Sequence, residues 1–223
     1  MTPKLSTNKH LWLLSGITGL AMWLGWPDLP FVFLLFLGFT PILLIEDTIE
    51  KQYKNYSTLI LFEHVYVAFV LWNALTTWWM VIASPAGAIF AILANAFLMS
   101  LPILFFHKTR QKLGNVAGYI SFIAYWLAFE YLHLQWELTW PWLTLGNGLA
   151  KFPALIQWYE YTGVFGGSLW ILVVNVAVFA EIRKFIVDRT NQQEQRKFEM
   201  IGISRVLITI ILPALLSYAI YRN

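Results

Sequence analysis

The feature that most limits the fold of this chain is a succession of long apolar stretches separated by short polar ones. Seven can be marked, at residues 11–26, 31–45, 58–83, 86–106, 116–138, 163–182 and 203–221. A helix crosses a hydrocarbon core of about 30 Å with about 20 residues, and the last five stretches reach that length. The first two are shorter, with only Pro27–Pro30 between them, and read as two tilted spans or as a helical hairpin of imperfect depth. Only 12% of the 223 residues are charged, about half the share usual in a soluble domain, so folding in water would leave too few charges to cover the surface. The 59% hydrophobic content excludes intrinsic disorder, and the absence of cysteine excludes a disulfide scaffold. The expected fold is all-α: a polytopic transmembrane helix bundle of about seven spans, forming a single membrane domain over residues 1–223 with no linker to a second one.

The first stretch follows Lys4 and Lys9 but ends in Ala21-Met22-Trp23-Leu24-Gly25-Trp26, without a small-x-small cleavage site, so it reads as a retained span. Lysine and arginine supply a test independent of hydropathy, because cytoplasmic loops are enriched in them. With the N-terminus cytoplasmic, that side collects thirteen: Lys4, Lys9, Lys51, Lys54, Lys108, Arg110, Lys112, Arg183, Lys184, Arg189, Arg196, Lys197 and Arg205. The opposite side receives two, Lys151 and Arg222. The bias favours seven spans with the C-terminus extracytoplasmic. It also explains the net charge of +3 as orientation, with no nucleic-acid partner implied. Asp188–Glu199 reads as a short cytoplasmic connector, and the lack of an internal repeat weakens an inverted-repeat transporter.

Polar groups inside apolar spans are costly and mark candidate sites. Glu63 and His64 read as a snorkelling or headgroup-level pair, while Asn73, Thr76, Thr77, Asn95 and Asn175 read as hydrogen-bonding ties between helices. Pro102 and Pro213 are expected to make kinks. Glu130, His133 and Glu137 stand at i, i+3 and i+7 and would share one face at the outer end of the fifth span. A Glu–His pair so spaced exchanges a proton or neutralises itself. A metal site would need a further ligand, and the four histidines are scattered, so no metal or other cofactor is expected.

Residues 139–162 are too irregular for a helix and too apolar for a solvated loop. Aromatic belts place tryptophans singly at helix ends, but here Trp136, Trp140 and Trp142 crowd beside two carboxylates. A structured outer-face loop lining a lipid-accessible groove fits better, with Leu155–Trp158 and Glu160 returning as a short amphipathic helix. Gly163, Gly166, Gly167 and Ser168 then open the sixth span with small residues that permit close packing.

The run Trp126-Leu127-Ala128-Phe129-Glu130-Tyr131-Leu132-His133, followed by Trp140-Pro141-Trp142-Leu143-Thr144-Leu145-Gly146, resembles the membrane part of bacterial apolipoprotein N-acyltransferases. There a W-x-x-x-E-x-L-R run precedes an F-P-W-L-x-x-G loop. Pro153–Trp158, Gly163–Ser168 and Val174-Asn175 resemble the P-L-x-Q, G-x-x-G-x-S and V-N continuation, and Trp72-Asn73 to Trp79 is similar upstream. His133 departs from the usual Arg and Trp140 from the usual Phe. The resemblance implies acyl transfer from phospholipid to the N-terminus of a diacylated lipoprotein in the bacterial inner membrane. It also implies a covalent thioester on a cysteine, assisted by Glu and Lys in a nitrilase-like extracytoplasmic domain after the seventh helix. This sequence reaches Asn223 where that domain is expected to begin and holds no cysteine, so no catalytic residue for that reaction is assigned. Either a separate polypeptide supplies the catalytic domain or the chain is a truncated or repurposed relative. The expected lipid or lipoprotein groove comprises Trp140 and Trp142 for chain contact, Glu130 and His133 for orienting polar groups, and Gly146 for the turn. Two other classes stay open: a small transporter or lipid-handling scaffold using Glu63, His64, Asn73 and Asn95, and an intramembrane enzyme using Glu130 and His133.

Overall fold

The computed structural model describes residues 9–27, 29–52, 57–137, 139–187 and 192–221. Lys4, Lys54, Arg189 and Arg222 of the charge count, the side chains of Arg196 and Lys197, and Leu138 at the end of the fifth stretch lie outside them. The described residues form helices and turns with no strand, as expected of an all-α membrane protein. Five helices are long and apolar enough to cross a membrane: Val32–Gln52, Ser57–Thr77, Pro85–Gln135, Tyr159–Ile186 and Gly202–Tyr221. A shorter helix, Lys9–Leu24, covers the first apolar stretch.

Several boundaries differ from the sequence reading. The second helix continues past Ile45 to Gln52, and the third pauses at Trp78 and Trp79 before a last turn at Met80–Ala83. The polar residues from Gln192 onward are not a connector but the start of helix Gln192–Tyr221, in keeping with the helix propensity of Gln, Glu, Arg and Lys. Pro102 and Pro213 lie within helical backbone, and non-helical φ/ψ values fall at Gly114 and Gly163.

Gly114 reverses the chain. A continuous helix would separate Thr109 from Tyr125 by about 24 Å, yet their hydroxyls lie 3.0 Å apart. Phe106 likewise meets Phe122 with ring centroids 5.5 Å apart. Residues 85–135 are therefore two helices folded into a hairpin. With φ of 81° at Gly114 and nothing within 4 Å of the place a Cβ would occupy, the reversal needs glycine for its backbone angle and not for space.

The chain gathers into two compact units. The first, residues 1–23 and 41–125, packs Ile42, Leu61, Val65, Phe69, Trp72, Phe106 and Phe122 at its core. Glu63 and His64 do not act together there, because consecutive helical residues point about 100° apart. His64 turns inward, with Nδ1 3.3 Å from the Ser15 hydroxyl and its ring against Trp12. Asn95 donates to Asn73 across 2.7 Å, an inter-helix tie of the kind the sequence suggested. At one end of this unit lies a buried charge network absent from the sequence reading. Arg110 pairs with both Glu46 and Asp47, and Glu46 also accepts from His107.

The second unit comprises residues 24–40 and 126–223. Its tightest joint is Asn175. The Asn175 Oδ1 accepts the Phe39 and Thr40 amides at 2.8 and 3.0 Å, and its Nδ2 donates to the Leu35 carbonyl at 2.8 Å. Pro41, with no N–H and a ring that crowds the preceding turn, interrupts the helix here. The side-chain amide stands in the gap, serving the donors and the acceptor that the break exposes. Phe39 packs edge-on against Trp126 at 4.6 Å beside it. An unpaired buried amide costs about 1–3 kcal/mol. Asn175→Leu, which strands two of them, is therefore expected to lose about 2–4 kcal/mol, read as a lowered midpoint of thermal unfolding in detergent.

Candidate functional site

The residues that the sequence singles out in its Trp-rich segment meet in the second unit, around the Glu130 carboxyl. Glu130 is 3% exposed. One helical turn before it, Trp126 stands at i−4, the spacing that brings two side chains onto one face, and its indole N–H donates to Glu130 Oε1 across 3.0 Å. The Leu145 amide donates to the same oxygen at 2.8 Å. One carboxyl thus ties the end of the helix that stops at Gln135 to the middle of the following segment. Its other oxygen is buried, and the Ser168 hydroxyl stands beside the group.

The segment itself is a chain of 3-10 turns, Pro141–Leu143, Leu145–Leu149 and Pro153–Leu155. Gly146 sits at its tightest point. Its amide donates to Ser168 Oγ at 3.0 Å, and its carbonyl accepts from the Tyr159 hydroxyl at 2.8 Å. A Cβ at Gly146 would fall inside contact distance of the Val164 carbonyl oxygen. The role foreseen for Gly146, making the turn, becomes a different one: its φ is not positive, and the missing side chain lets two backbones meet.

Two other expectations change. The helix ends at Gln135, so Glu137 lies beyond it, exposed, and does not share the Glu130 face. Leu155–Trp158 is not a surface helix. The segment docks on the last helix, where the Gln157 amide donates to Ser217 Oγ at 2.6 Å and the Trp158 indole donates to the Pro213 carbonyl at 3.1 Å. Helix formation begins at Tyr159, after the prolines and turns that cannot sustain it.

His133 is buried, its ring stacked on Phe129 at 4.9 Å and tilted against Trp136 at 5.2 Å. Trp140 hangs from the His133 carbonyl by its backbone N–H at 3.3 Å, and its buried indole nitrogen has no partner among the described residues. Trp142 is the outlier: it stands 51% exposed on the first turn of the segment. Glu130, His133, Trp140 and Gly146 therefore belong to one hydrogen-bonded and stacked framework, and Trp142 on its first turn is half exposed. The sequence reading missed Trp126, Ser168 and Tyr159 as parts of this framework. The i, i+4 spacing of Trp126 and Glu130 was a legible signal, whereas Tyr159 carried none.

The family model described as apolipoprotein N-acyltransferase N-terminal domain matches residues 18–177. The chain belongs to that family. Curated proteins named apolipoprotein N-acyltransferase are similar over the same region. One from Chlorobaculum tepidum is 24% identical over 98% of this chain, and one from Rhodopirellula baltica is 24% identical over 81%. A third, from Geobacter metallireducens, is 28% identical over 51% of the chain. The chain spans 38% and 33% of the length of the first two. No solved structure matches the chain. In this apolipoprotein N-acyltransferase N-terminal domain the motif residues named above turn out to be structural partners of one another. W-x-x-x-E is the Trp126–Glu130 hydrogen bond, the glycine of the W-L-x-x-G loop is the close approach to Val164, and the V-N asparagine closes the broken helix.

Adding a methyl group at Gly146 forces either the Val164 backbone or the 3-10 turn to move, and overpacking of this kind costs about 1–3 kcal/mol. Gly146→Ala should lower the thermal midpoint in detergent and speed proteolysis within residues 139–158. An unchanged midpoint would contradict the close approach.

Proposed function

We propose that this chain is the membrane-embedded, lipid-binding part of an apolipoprotein N-acyltransferase-like system in a bacterial inner membrane. It crosses seven times as one membrane domain, with the Gly114 reversal at the cytoplasmic face and residues 139–158 at the outer face. The thirteen-to-two distribution of Lys and Arg supports this orientation. The observation that carries the functional reading is Trp142, an exposed indole on a turn that a buried carboxyl and a close glycine contact hold in place. Tryptophan supplies a large apolar face and a wet N–H, which suits the boundary between acyl chains and headgroups.

In this reading the framework of Glu130, His133, Trp140 and Gly146 presents Trp142 to the acyl chains of phospholipid and diacylated lipoprotein. The sequence holds no cysteine, so thioester chemistry falls to another polypeptide or another part of a longer one, a nitrilase-like domain by the family resemblance. The family model and relatives named for this reaction support the assignment. Of the polar residues that a transporter would use, His64 is engaged with Ser15 and Asn73 with Asn95.

The test uses the purified chain in nanodiscs and a fluorescent diacylated lipopeptide. Binding is expected, with Trp142→Ala weakening it by about tenfold, the loss of roughly one buried aromatic contact. No N-acylated peptide is expected by mass spectrometry. Binding unaffected by Trp142→Ala removes the proposed contact, and turnover by these 223 residues refutes the division of labour.

A further inference from the structure

The buried network of the first unit contains an arrangement that the lipid-binding reading does not use. His107 is 0% exposed and lies between Ser57 and Glu46. Its Nδ1 is 2.8 Å from Glu46 Oε1, and its Nε2 is 3.0 Å from Ser57 Oγ. Glu46 is fully buried and held in turn by Arg110, which also pairs with Asp47 at 2.5 Å. A carboxylate accepts only, so the Nδ1 proton points to Glu46, and in the neutral ring Nε2 is then the acceptor for the Ser57 hydroxyl, with Glu50 3.8 Å from the same nitrogen. The donors agree with this sense: the Gln111 amide, 3.1 Å from Ser57 Oγ, donates to that oxygen and frees its proton for His107.

We propose that Ser57, His107 and Glu46 form an esterolytic triad, with Ser57 the nucleophile, His107 the base and Glu46 the residue that positions the ring. A hydroxyl bonded to an imidazole that a buried carboxylate orients is the geometry by which such triads are recognised, whatever the fold. Ser57 opens helix Ser57–Thr77, whose first amides have no partner within the helix and face developing negative charge favourably. Glu46, Glu50 and His107 also place ligand-type atoms within 4.8 Å of one another, but Arg110 and His107 take the two Glu46 oxygens, so this carboxylate serves the imidazole and not a cation.

Access is short. Gln111 is exposed, and its amide covers both Ser57 Oγ and His107 Nε2, 3.2 Å away, while bonding Glu50 at 2.7 Å. Among the described residues, rotation of this side chain would remove the exposed hydrogen-bonded cover from Ser57 Oγ. The substrate class is a carboxylic ester, with water as co-reactant. Ser57 Oγ bonds to the carbonyl carbon as its proton passes to His107 Nε2. The ester C–O bond then breaks, and the same proton leaves with the alcohol. Water next attacks the acyl-serine, gives its proton to His107 and releases the acid, and Ser57 regains its hydrogen.

The proposal is independent of the lipid groove, which lies in the other unit, and its test is separate. The full chain in detergent is treated with a fluorophosphonate probe and mapped by peptide mass spectrometry. Labelling at Ser57 is expected, absent in Ser57→Ala and slowed by about a hundredfold in His107→Gln, as loss of a general base requires. Gln111→Ala should label faster than the unaltered chain. Because His107→Gln could unfold the unit, its thermal midpoint is measured alongside; if it falls below the assay temperature, the Gln111→Ala rate decides. An unlabelled unaltered chain, labelling on a different serine, labelling insensitive to a folded His107→Gln, or no acceleration in Gln111→Ala overturns the triad and leaves a purely structural network.

Discussion

A carboxyl buried among apolar helices cannot draw hydrogen bonds from water, so the protein must supply the donors, and where those donors stand decides the local structure. Glu130 is that group in the second unit. Its two donors come from one turn earlier on its own helix and from a loop amide fifteen residues later in sequence. The loop therefore cannot drift without stranding the buried Leu145 amide. Through the next residue, Gly146, the constraint passes to Ser168 and Tyr159 on the following helix. The irregular backbone of residues 143–146, which would be untenable facing lipid, is acceptable because it is buried in protein and its Leu145 and Gly146 amides are paired.

The same logic recurs wherever a polar side chain is buried. The Asn175 side chain, from helix Tyr159–Val187, fills the gap in another helix interrupted at Pro41, and Arg110 draws Glu46 and Asp47 together at the end of the first unit. Apolar contacts between helices discriminate poorly in a membrane, because lipid tails are as apolar as leucine. Polar joints are directional and costly to leave open, so they select one packing among many. Removing one partner of a buried ion pair leaves an uncompensated charge, which makes the Arg110 network a strong constraint whether or not it also performs chemistry.

Much of this was legible before any coordinates. The apolar stretches marked the helices to within about three turns, the largest difference being the last helix, which begins at Gln192, because hydrophobic length is set by bilayer thickness and not by neighbours. The ties by Asn73, Asn95 and Asn175 followed from polar residues in apolar runs, as did the importance of Glu130. The errors share one cause. Glu137 was placed on the Glu130 face by extending a helix that stops at Gln135, and Leu155–Trp158 was read as amphipathic where it is a turn docked on the last helix. Periodicity indicates which face a residue would occupy if the helix continued; it does not indicate where the helix ends. Glu46, Asp47 and His107 escaped notice because they fall just beyond the marked stretches, where charges are expected to be solvated.

By itself the sequence determined the class: an all-α membrane chain with a Trp-rich segment, a recognisable acyltransferase-family motif and no thiol. Helical hydrogen bonds close within four residues, so apolar length alone suffices to specify such elements. Only the tertiary structure decided which buried groups complete one another. Leu145 finds Glu130, Asn175 finds Leu35, and His107 lies between Ser57 and Glu46. Those pairings join residues up to 140 positions apart, and they depend on which helix faces meet, a quantity that no local pattern encodes.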